Sequence, residues 1–323
     1  MDEATARAGA NIALVKYWGK RDASLNLPAA GSISITLEGL ETRTTVAPAP
    51  TLEADALLLD GQPASAERII PVLDRFRAMA GADTRCRVTS ENSFPTGAGL
   101  ASSASGFAAL VVAANAVFET RLEFANLSEQ ARLGSGSAAR SIFGGFVEMD
   151  AGQRADGHDA IARSLAEPHE WPLEVVVAIT DVQAKSVSST DGMNHTMSTS
   201  PYYPAWVESV PPDLEQARQA IAEQDFEKLA EVSEYSALKM HASALAARPG
   251  LLYWNAATLH CLEEIRAMRH EGIGVFFTID AGPQVKAVCL PGQGQAVAAR
   301  LHQADGVIRV IRTGLGPGGE IVP

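Results

Sequence analysis

A stretch of small and polar residues within 91–118 has the composition of a loop that binds phosphate. Gly97 and Gly99 lead into Ser102 and Ser103, and apolar residues at helical spacing follow. A helix N-terminus offers unpaired N–H groups, glycines let a phosphate approach the backbone, and serine hydroxyls bind its oxygens or Mg²⁺. The chain lacks the G-x-x-x-x-G-K-[ST] motif, and an ordinary glycine turn with serine caps is an equally good interpretation of this stretch alone.

Two lysines near the N-terminus form a second candidate site. Lys16 and Lys20 flank Tyr17 and Trp18 in the segment K-Y-W-G-K-R-D. Ammonium groups at this spacing can bind phosphate or carboxylate. A strand end with solvated lysines is the alternative.

Arg140 and Asp280 are two further candidates with opposite charge. Arg140 follows the run G-S-G-S-A-A, and its planar fork of donors suits phosphate or carboxylate, although a surface salt bridge would also explain it. Asp280 ends an apolar segment and precedes Ala281-Gly282-Pro283. A carboxylate held at a rigid strand end can orient or deprotonate a hydroxyl, whereas an aspartate before Gly-Pro can simply cap a turn.

The remaining polar motifs give weaker signals. The segment from Lys185 to Met193 is rich in serine and is typical of a surface loop or short helix. The seven histidines show no metal-ligand spacing, and no role is evident for His195. The three cysteines form no C-x-x-C pair, so we expect no zinc site and a reducing, cytoplasmic environment.

The elements that must position these residues fall into two groups. The first half predicts strands at 10–18, 32–37, 42–46, 57–59, 86–90 and 146–149, with helices at 67–79 and 101–118. The second half predicts strands at 173–180, 275–279, 285–290 and 307–312 and helices at 213–222, 225–247, 255–272 and 293–303. This second order is that of a split βαβ, or ferredoxin-like, unit. We therefore predict domains at 1–172 and 173–323.

Composition limits the classes of ligand. The chain has 323 residues, 46% of them hydrophobic, which supports a large core. Its net charge of −12 opposes general binding to nucleic acid or to anionic membranes, so an anionic ligand would need local positive charge. No signal-peptide core or membrane-spanning run is evident, and we expect a soluble protein.

Five motifs, in order, resemble one enzyme family. P-T-G-A-G-L-A-S-S-A-S-G resembles the phosphate loop of the GHMP kinase superfamily. K-Y-W-G-K-R-D followed by N-L-P is similar to the N-terminal signature of the diphosphomevalonate decarboxylases, which other GHMP enzymes do not share. The segments G-S-G-S-A-A-R-S, K-S-V-S-S-T-D-G-M and T-I-D-A-G-P-Q-V-K resemble the same family, with Ala139 and Gln284 departing from its usual cysteine and asparagine.

The resemblance implies a fold and an activity. The fold would be α+β, with an N-terminal ribosomal-protein-S5-like domain and a C-terminal ferredoxin-like domain. The activity would be ATP-dependent decarboxylation of mevalonate 5-diphosphate, with Mg²⁺, in a homodimer. The alternatives are a phosphomevalonate decarboxylase, a mevalonate 3-kinase, another GHMP small-molecule kinase, or a non-catalytic nucleotide-binding protein.

The resemblance also implies roles for individual residues. Catalysis would fall to Asp280 as base, Lys16 beside it and Arg140 on the substrate carboxylate. The other implied substrate contacts are Asn11, Tyr17, Lys20, Ser135, Ser137, Ser189 and Met193. The implied nucleotide contacts are Asn92, Gly97, Gly99, Leu100, Ala101, Ser102, Ser103 and Lys185, with Ser103 also on Mg²⁺.

Overall fold

The computed structural model describes residues 2–94, 102–183 and 187–323. Its strands are β1 Ala4–Val15, β2 Lys20–Asp22, β3 Leu27–Pro28, β4 Ser32–Pro48, β5 Ala56–Leu59, β6 Gln62–Ala64, β7 Cys86–Asn92, β8 Phe146–Met149, β9 Ala162–Ala166, β10 Glu174–Ile179, β11 Val275–Ile279, β12 Val285–Cys289, β13 Arg309–Gly314 and β14 Glu320–Val322. Its helices are α1 Ile70–Ala80, α2 Ser102–Val117, α3 Phe124–Gly134, α4 Ser189–Thr199, α5 Tyr203–Glu223, α6 Phe226–Leu245, α7 Ala256–His270 and α8 Gly294–His302, with a 3₁₀ helix at Gly136–Ile142.

The first sheet is built on the long strands β1 and β4. Its order is β14-β1-β4-β7-β5-β6, and β8 also pairs with β4 and carries β9. All pairs are antiparallel except β5 with β7. The last strand of the chain thus returns to the edge of the first sheet, beside β1.

Helix α2 lies at the centre of the first half. The spacing of Phe107, Leu110 and Val111 predicts one apolar face, but Ala108 and Val112, which lie off that face, are buried as well. The helix is enclosed on several sides because it contacts β1, β4, α3 and the 3₁₀ helix. A helix buried all round needs small residues, which explains its many alanines.

The second sheet has the order β11-β12-β10-β13, with every pair antiparallel. This order confirms the predicted ferredoxin-like arrangement, and the two mixed layers of sheet and helix confirm the α+β class. Helix α5 begins ten residues before its predicted start and runs through Pro211 and Pro212. Burial of Trp206 and Val210 against the core holds the early turns in place despite the prolines.

One hydrophobic core joins the two sheets. It contains Ile12 and Leu14 of β1, Val177 of β10 and Phe276 of β11. At this seam the Thr278 hydroxyl donates to the Ala13 carbonyl at 2.9 Å. The end of β1 is therefore fixed beside the end of β11.

Several elements lie outside the sequence-based prediction. The predicted strands at 32–37 and 42–46 are one strand, β4. Helix α3, strand β9 and strand β14 fall in segments where we predict no regular structure. Within the described ranges, no helix has both the length and the apolar character needed to cross a bilayer.

Candidate active site

A cavity of about 640 Å³ opens at the seam between the two sheets. The ends of β1 and β11, the N-termini of α2 and α4 and the 3₁₀ helix surround it. Its polar lining consists of Asn11, Lys16, Tyr17, Trp18, Lys20, Asn26, Arg68, Ser102, Ser103, Ser135, Ser137, Arg140, Ser188, Ser189, Thr190 and Asp280.

Asp280 lies between two buried lysines. Lys16, just after β1, donates from Nζ to Asp280 Oδ1 at 2.7 Å and to the Ala13 carbonyl at 2.9 Å. On the other side, Lys286 Nζ lies 3.1 Å from Asp280 Oδ2. The side chains of Lys16 and Lys286 are 2% and 1% exposed, whereas that of Asp280 is 29% exposed. The carboxylate is thus the part of this cluster that a ligand can reach.

The protonation of this cluster follows from burial and charge. Burial alone would raise the pKa of Asp280, but the charges and hydrogen bonds of Lys16 and Lys286 outweigh it and hold that pKa well below its usual range. Burial lowers the pKa of Lys16 to about 8, although Asp280 opposes the shift. At neutral pH the site therefore holds an ionised carboxylate and a charged but easily titrated lysine.

Arg140 is a buried cation that lacks a carboxylate partner in the described parts of the chain. Its Nη1 donates to Ser32 Oγ at 2.7 Å and its Nη2 to Asn11 Oδ1 at 3.1 Å, while its Nε finds no acceptor. Burial lowers its pKa to about 10. A buried charge without a counter-ion is costly, so this guanidinium is suited to an anionic ligand.

The 3₁₀ helix that carries Arg140 is tied to β1. The Asn11 side-chain amide donates to the Ser137 carbonyl at 3.0 Å and to Ser141 Oγ at 2.8 Å. The Ser141 hydroxyl in turn donates to the Gly9 carbonyl at 2.8 Å. Asn11 therefore fixes the helix and also accepts from Arg140, which makes it part of the site's frame.

Lys20 is held by a short loop between β2 and β3. Its ammonium group donates to Asn26 Oδ1 at 2.7 Å, and the Asn26 amide donates to the Leu133 carbonyl at 3.0 Å. The fully buried Arg132 donates to the Leu25, Gly157 and Ala160 carbonyls and anchors the same loop. Burial, with a smaller effect of Arg68, lowers the pKa of Lys20.

Gly19 lets the chain turn between the two lysines. Its φ of +105° is a conformation that favours glycine, and a Cβ there would overlap the Tyr203 hydroxyl. Tyr17 packs against Gly136 as closely as Tyr203 packs against Gly19, because a Cβ on Gly136 would overlap the Tyr17 hydroxyl. Burial raises the pKa of Tyr17 to about 12, so it stays neutral.

Two helix N-termini reach the cavity. Ser102 and Ser103 begin α2, and Ser188 caps α4 by accepting from the Asp191 N–H at 3.1 Å. Helix N-termini attract anions through their dipoles and free N–H groups. With the basic residues Lys16, Lys20, Arg68 and Arg140, they give an acidic protein one strongly cationic cavity.

The structure brings most of the predicted site residues to this cavity. The lining includes Asn11, Lys16, Tyr17, Lys20, Ser102, Ser103, Ser135, Ser137, Arg140, Ser189, Met193 and Asp280. Gly97, Gly99, Leu100, Ala101 and Lys185 lie outside the described residues.

Asn92 and His195 lie apart from this lining. Asn92, on β7, accepts from the Thr42 hydroxyl at 2.8 Å and pairs with Asp60. His195 donates from Nε2 to the Pro249 carbonyl at 2.8 Å, which is a structural contact.

Three side chains at the site have no role assigned by the sequence analysis, although one of them gives a signal. Arg68 is an exposed arginine just before α1, and nothing in its neighbourhood distinguishes it from other surface arginines. Asn26 begins the N-L-P segment of the family signature, but that segment does not reveal its contact with Lys20. Lys286 does give one, because a lysine inside the apolar strand β12 is unusual. Gln284, the departure from the family pattern, accepts from the Thr180 N–H at 2.6 Å and fixes the end of β10.

The side chains that line the cavity fit a Mg²⁺ ion that would be held mainly by substrate phosphates. Within the described ranges no group of three or more histidine, cysteine or acidic side chains could hold a metal ion. Magnesium usually keeps several waters and binds through few protein ligands plus substrate phosphates. The exposed hydroxyl of Ser103 at the α2 N-terminus is compatible with such a site.

Two family models match the chain in succession. Residues 8–162 match the diphosphomevalonate decarboxylase-like N-terminal domain, and residues 175–316 match the mevalonate 5-diphosphate decarboxylase C-terminal domain.

Individual relatives match over almost the full length. The diphosphomevalonate decarboxylase of Candida albicans is 37% identical, over 98% of this chain and 97% of the relative. The crystal structure of mevalonate diphosphate decarboxylase from Staphylococcus aureus matches with a TM-score of 0.93 and 37% identity, over 100% of this chain and 98% of that one. The structure of MDDEF in complex with MVAPP, AMPPCP and magnesium matches with a TM-score of 0.91 and 36% identity, over 99% and 98%. These likenesses confirm the predicted GHMP kinase fold, and the chain belongs to the diphosphomevalonate decarboxylase family.

Proposed function

We propose that the protein decarboxylates mevalonate 5-diphosphate in an ATP-dependent reaction that gives isopentenyl diphosphate, CO₂, ADP and phosphate. The observation that carries this proposal is one ionised carboxylate, Asp280, held between buried lysines in the same cavity as the guanidinium of Arg140, which has no carboxylate partner among the described residues. The complex of the solved relative with MVAPP, AMPPCP and magnesium supports it.

The first step is phosphoryl transfer to the tertiary 3-hydroxyl of the substrate. Asp280 accepts a hydrogen bond from this hydroxyl and takes its proton as the bond to the γ-phosphoryl group forms. Its low pKa makes it a weak base at rest, which suits a loose transition state in which the hydroxyl loses its proton late. Lys16 offsets the negative charge that gathers at the reacting oxygens.

The second step breaks two bonds. The 3-phosphate leaves with its bonding electrons, positive charge builds on C3, and the C1–C2 electrons form the new double bond as CO₂ departs. Arg140 orients the carboxylate for this step. Its guanidinium is rigid because Asn11 and Ser32 hold it.

The nucleotide phosphates would lie on the N-terminus of α2. Ser102 and Ser103 supply hydroxyls there, and Arg68 adds charge at the cavity edge. Mg²⁺ held by Ser103 and the phosphates would neutralise charge on the transferring group.

The test is one incubation series with Mg-ATP and mevalonate 5-diphosphate, mevalonate 5-phosphate or mevalonate, in which ADP and CO₂ are followed together. Equal amounts of both products from the diphosphate alone are the expected result. Turnover of the monophosphate would favour a phosphomevalonate decarboxylase, and ADP without CO₂ a mevalonate 3-kinase. Nucleotide binding without turnover would leave a non-catalytic protein.

Lys20 should contribute to substrate affinity more than to rate. Lys20→Met removes a charge-assisted contact to the diphosphate. We therefore expect the KM for mevalonate 5-diphosphate to rise about 10- to 100-fold, with kcat nearly unchanged. Lys228→Met is the matched control, since that lysine pairs with Glu223 and does not line the cavity. Equal KM values for Lys20→Met and the unmodified protein would contradict the role.

Activity should fall in alkaline solution. Lys16 must be charged to act, and its pKa is about 8, so kcat/KM should reach its plateau well below pH 8, fall to half at about pH 8 and then fall about tenfold per pH unit. The measurement is kcat/KM from about pH 6 to about pH 10. Lys16→Arg, which stays charged throughout, should lose this decline if it remains active. A flat profile for the unmodified protein would contradict the assignment.

A cytoplasmic location and a homodimer remain predictions. The three cysteines, Cys86, Cys261 and Cys289, are all free and buried, which is compatible with a reducing compartment.

A further inference from the structure

Lys286 is a charged residue in a position that the fold makes apolar. In the second sheet it lies opposite Val177 of β10 and Thr278 of β11, and residues directly opposite share one face. This face packs into the core between the two sheets, where Val177 and Val288 are fully buried. Lysine is almost never buried so completely without a partner, so its presence needs a specific explanation.

One partner of Lys286 is the carboxylate of Asp280. Lys286 Nζ lies 3.1 Å from Oδ2, and Lys16 Nζ lies 2.7 Å from Oδ1. The two ammonium groups therefore hold opposite oxygens of one side chain. Thr278 strengthens the arrangement, because the Ala13 carbonyl accepts from its hydroxyl as well as from Lys16.

We propose that Lys286 is a positioning residue for the reaction: it holds one oxygen of Asp280, which fixes the plane of the carboxylate and aims it at the substrate hydroxyl. Lys286 does not line the cavity, so it acts through Asp280 and not on the substrate. The inference rests on the proposed function. It assigns a role to a second lysine, in addition to the one beside the base that the family resemblance implies.

Charge coupling gives this role a measurable signature. The charge of Asp280 interacts with Lys16 just after β1, Lys286 on β12, His241 on α6 and Arg140 on the 3₁₀ helix. Lys286 lowers the pKa of Asp280 and also, as a like charge, that of Lys16. Removing it should raise both pKa values. Because the pKa of Asp280 lies well below its usual range, the measurable change is in the alkaline limb set by Lys16, which should move to higher pH.

The experiment compares Lys286→Met with the unmodified protein and with Lys239→Met. Lys239 is the matched control because it is a largely buried lysine paired with Asp213 at 2.6 Å, between α5 and α6. We expect Lys286→Met to lower kcat about tenfold at the optimum, with KM little changed, and to move the alkaline limb of kcat/KM up by about one pH unit. Lys239→Met should change thermal stability and leave the alkaline limb in place.

Two outcomes would overturn the proposal. In one, Lys286→Met is folded and less active, but its alkaline limb coincides with that of the unmodified protein, which indicates a structural role alone. In the other, its activity is normal. If Lys286→Met does not fold, Lys286→Gln takes its place with the same readouts, since it keeps a donor without the charge. An inactive unmodified protein would instead refute the proposed function, which separates the two failures.

Discussion

Asp280→Asn should lower kcat by about 10²–10⁴-fold, the contribution of a positioned base. An amide of the same shape cannot accept the hydroxyl proton, and it no longer attracts Lys16 and Lys286 with a full charge. Because phosphoryl transfer depends mainly on positioning and charge, the remaining cavity should still bind both substrates. We therefore expect KM for ATP to stay within a few-fold of its original value while ADP and CO₂ formation fall together.

Stability is the main confounding effect in this variant. Removing one partner of a buried ion pair costs about 3–5 kcal/mol, because the other charge is left unpaired. Asp213→Asn is the control. It leaves the largely buried Lys239 without its carboxylate, as Asp280→Asn does for Lys16 and Lys286, but at a place that does not line the cavity. Asp213→Asn should be destabilised and retain its kcat. A folded Asp280→Asn protein with near-normal kcat would show that another group accepts the proton.

Local sequence patterns account for much of the fold. Strand β8 and strand β11 match their predicted bounds, because alternation or an unbroken apolar run leaves little choice. Strand β14 could not be foreseen, since its three residues pair with β1 only through a contact between the two ends of the chain. The sequence predicts too short a helix α5, because proline is a local signal, whereas the burial of Trp206 that sustains the helix is a tertiary effect.

The candidate site shows the same division. Lys16, Arg140 and Asp280 lie in recognisable motifs. The fold brings them to one cavity although they lie far apart in sequence. The motifs do not show which groups neutralise the charge of each of these side chains. Arg140 lacks a carboxylate partner among the described residues, and Lys286 reaches Asp280. Both facts depend on how β1, the 3₁₀ helix and β12 pack together.

Arg140→Met should lower kcat/KM about 10²–10³-fold, mostly through KM. Losing one side of a buried charge pair in a complex costs about 2–5 kcal/mol. The carboxylate is fully charged when the substrate binds, and that charge disperses as CO₂ forms. The ion pair with Arg140 is therefore strongest in the ground state, so its loss weakens binding more than it slows bond breaking.

Two companion variants sharpen this expectation. Arg140→Lys keeps the charge but loses the planar fork that binds Asn11 and Ser32, so it should recover only part of kcat/KM. Arg77→Met removes another buried arginine, paired with Asp55 and outside the cavity lining, and should lose stability without a change in KM. If Arg140 only held the carboxylate, ADP and CO₂ would stay equal in Arg140→Met. An excess of ADP would mean that the guanidinium also promotes the elimination, because the phosphorylated substrate would then leave the site before it lost CO₂.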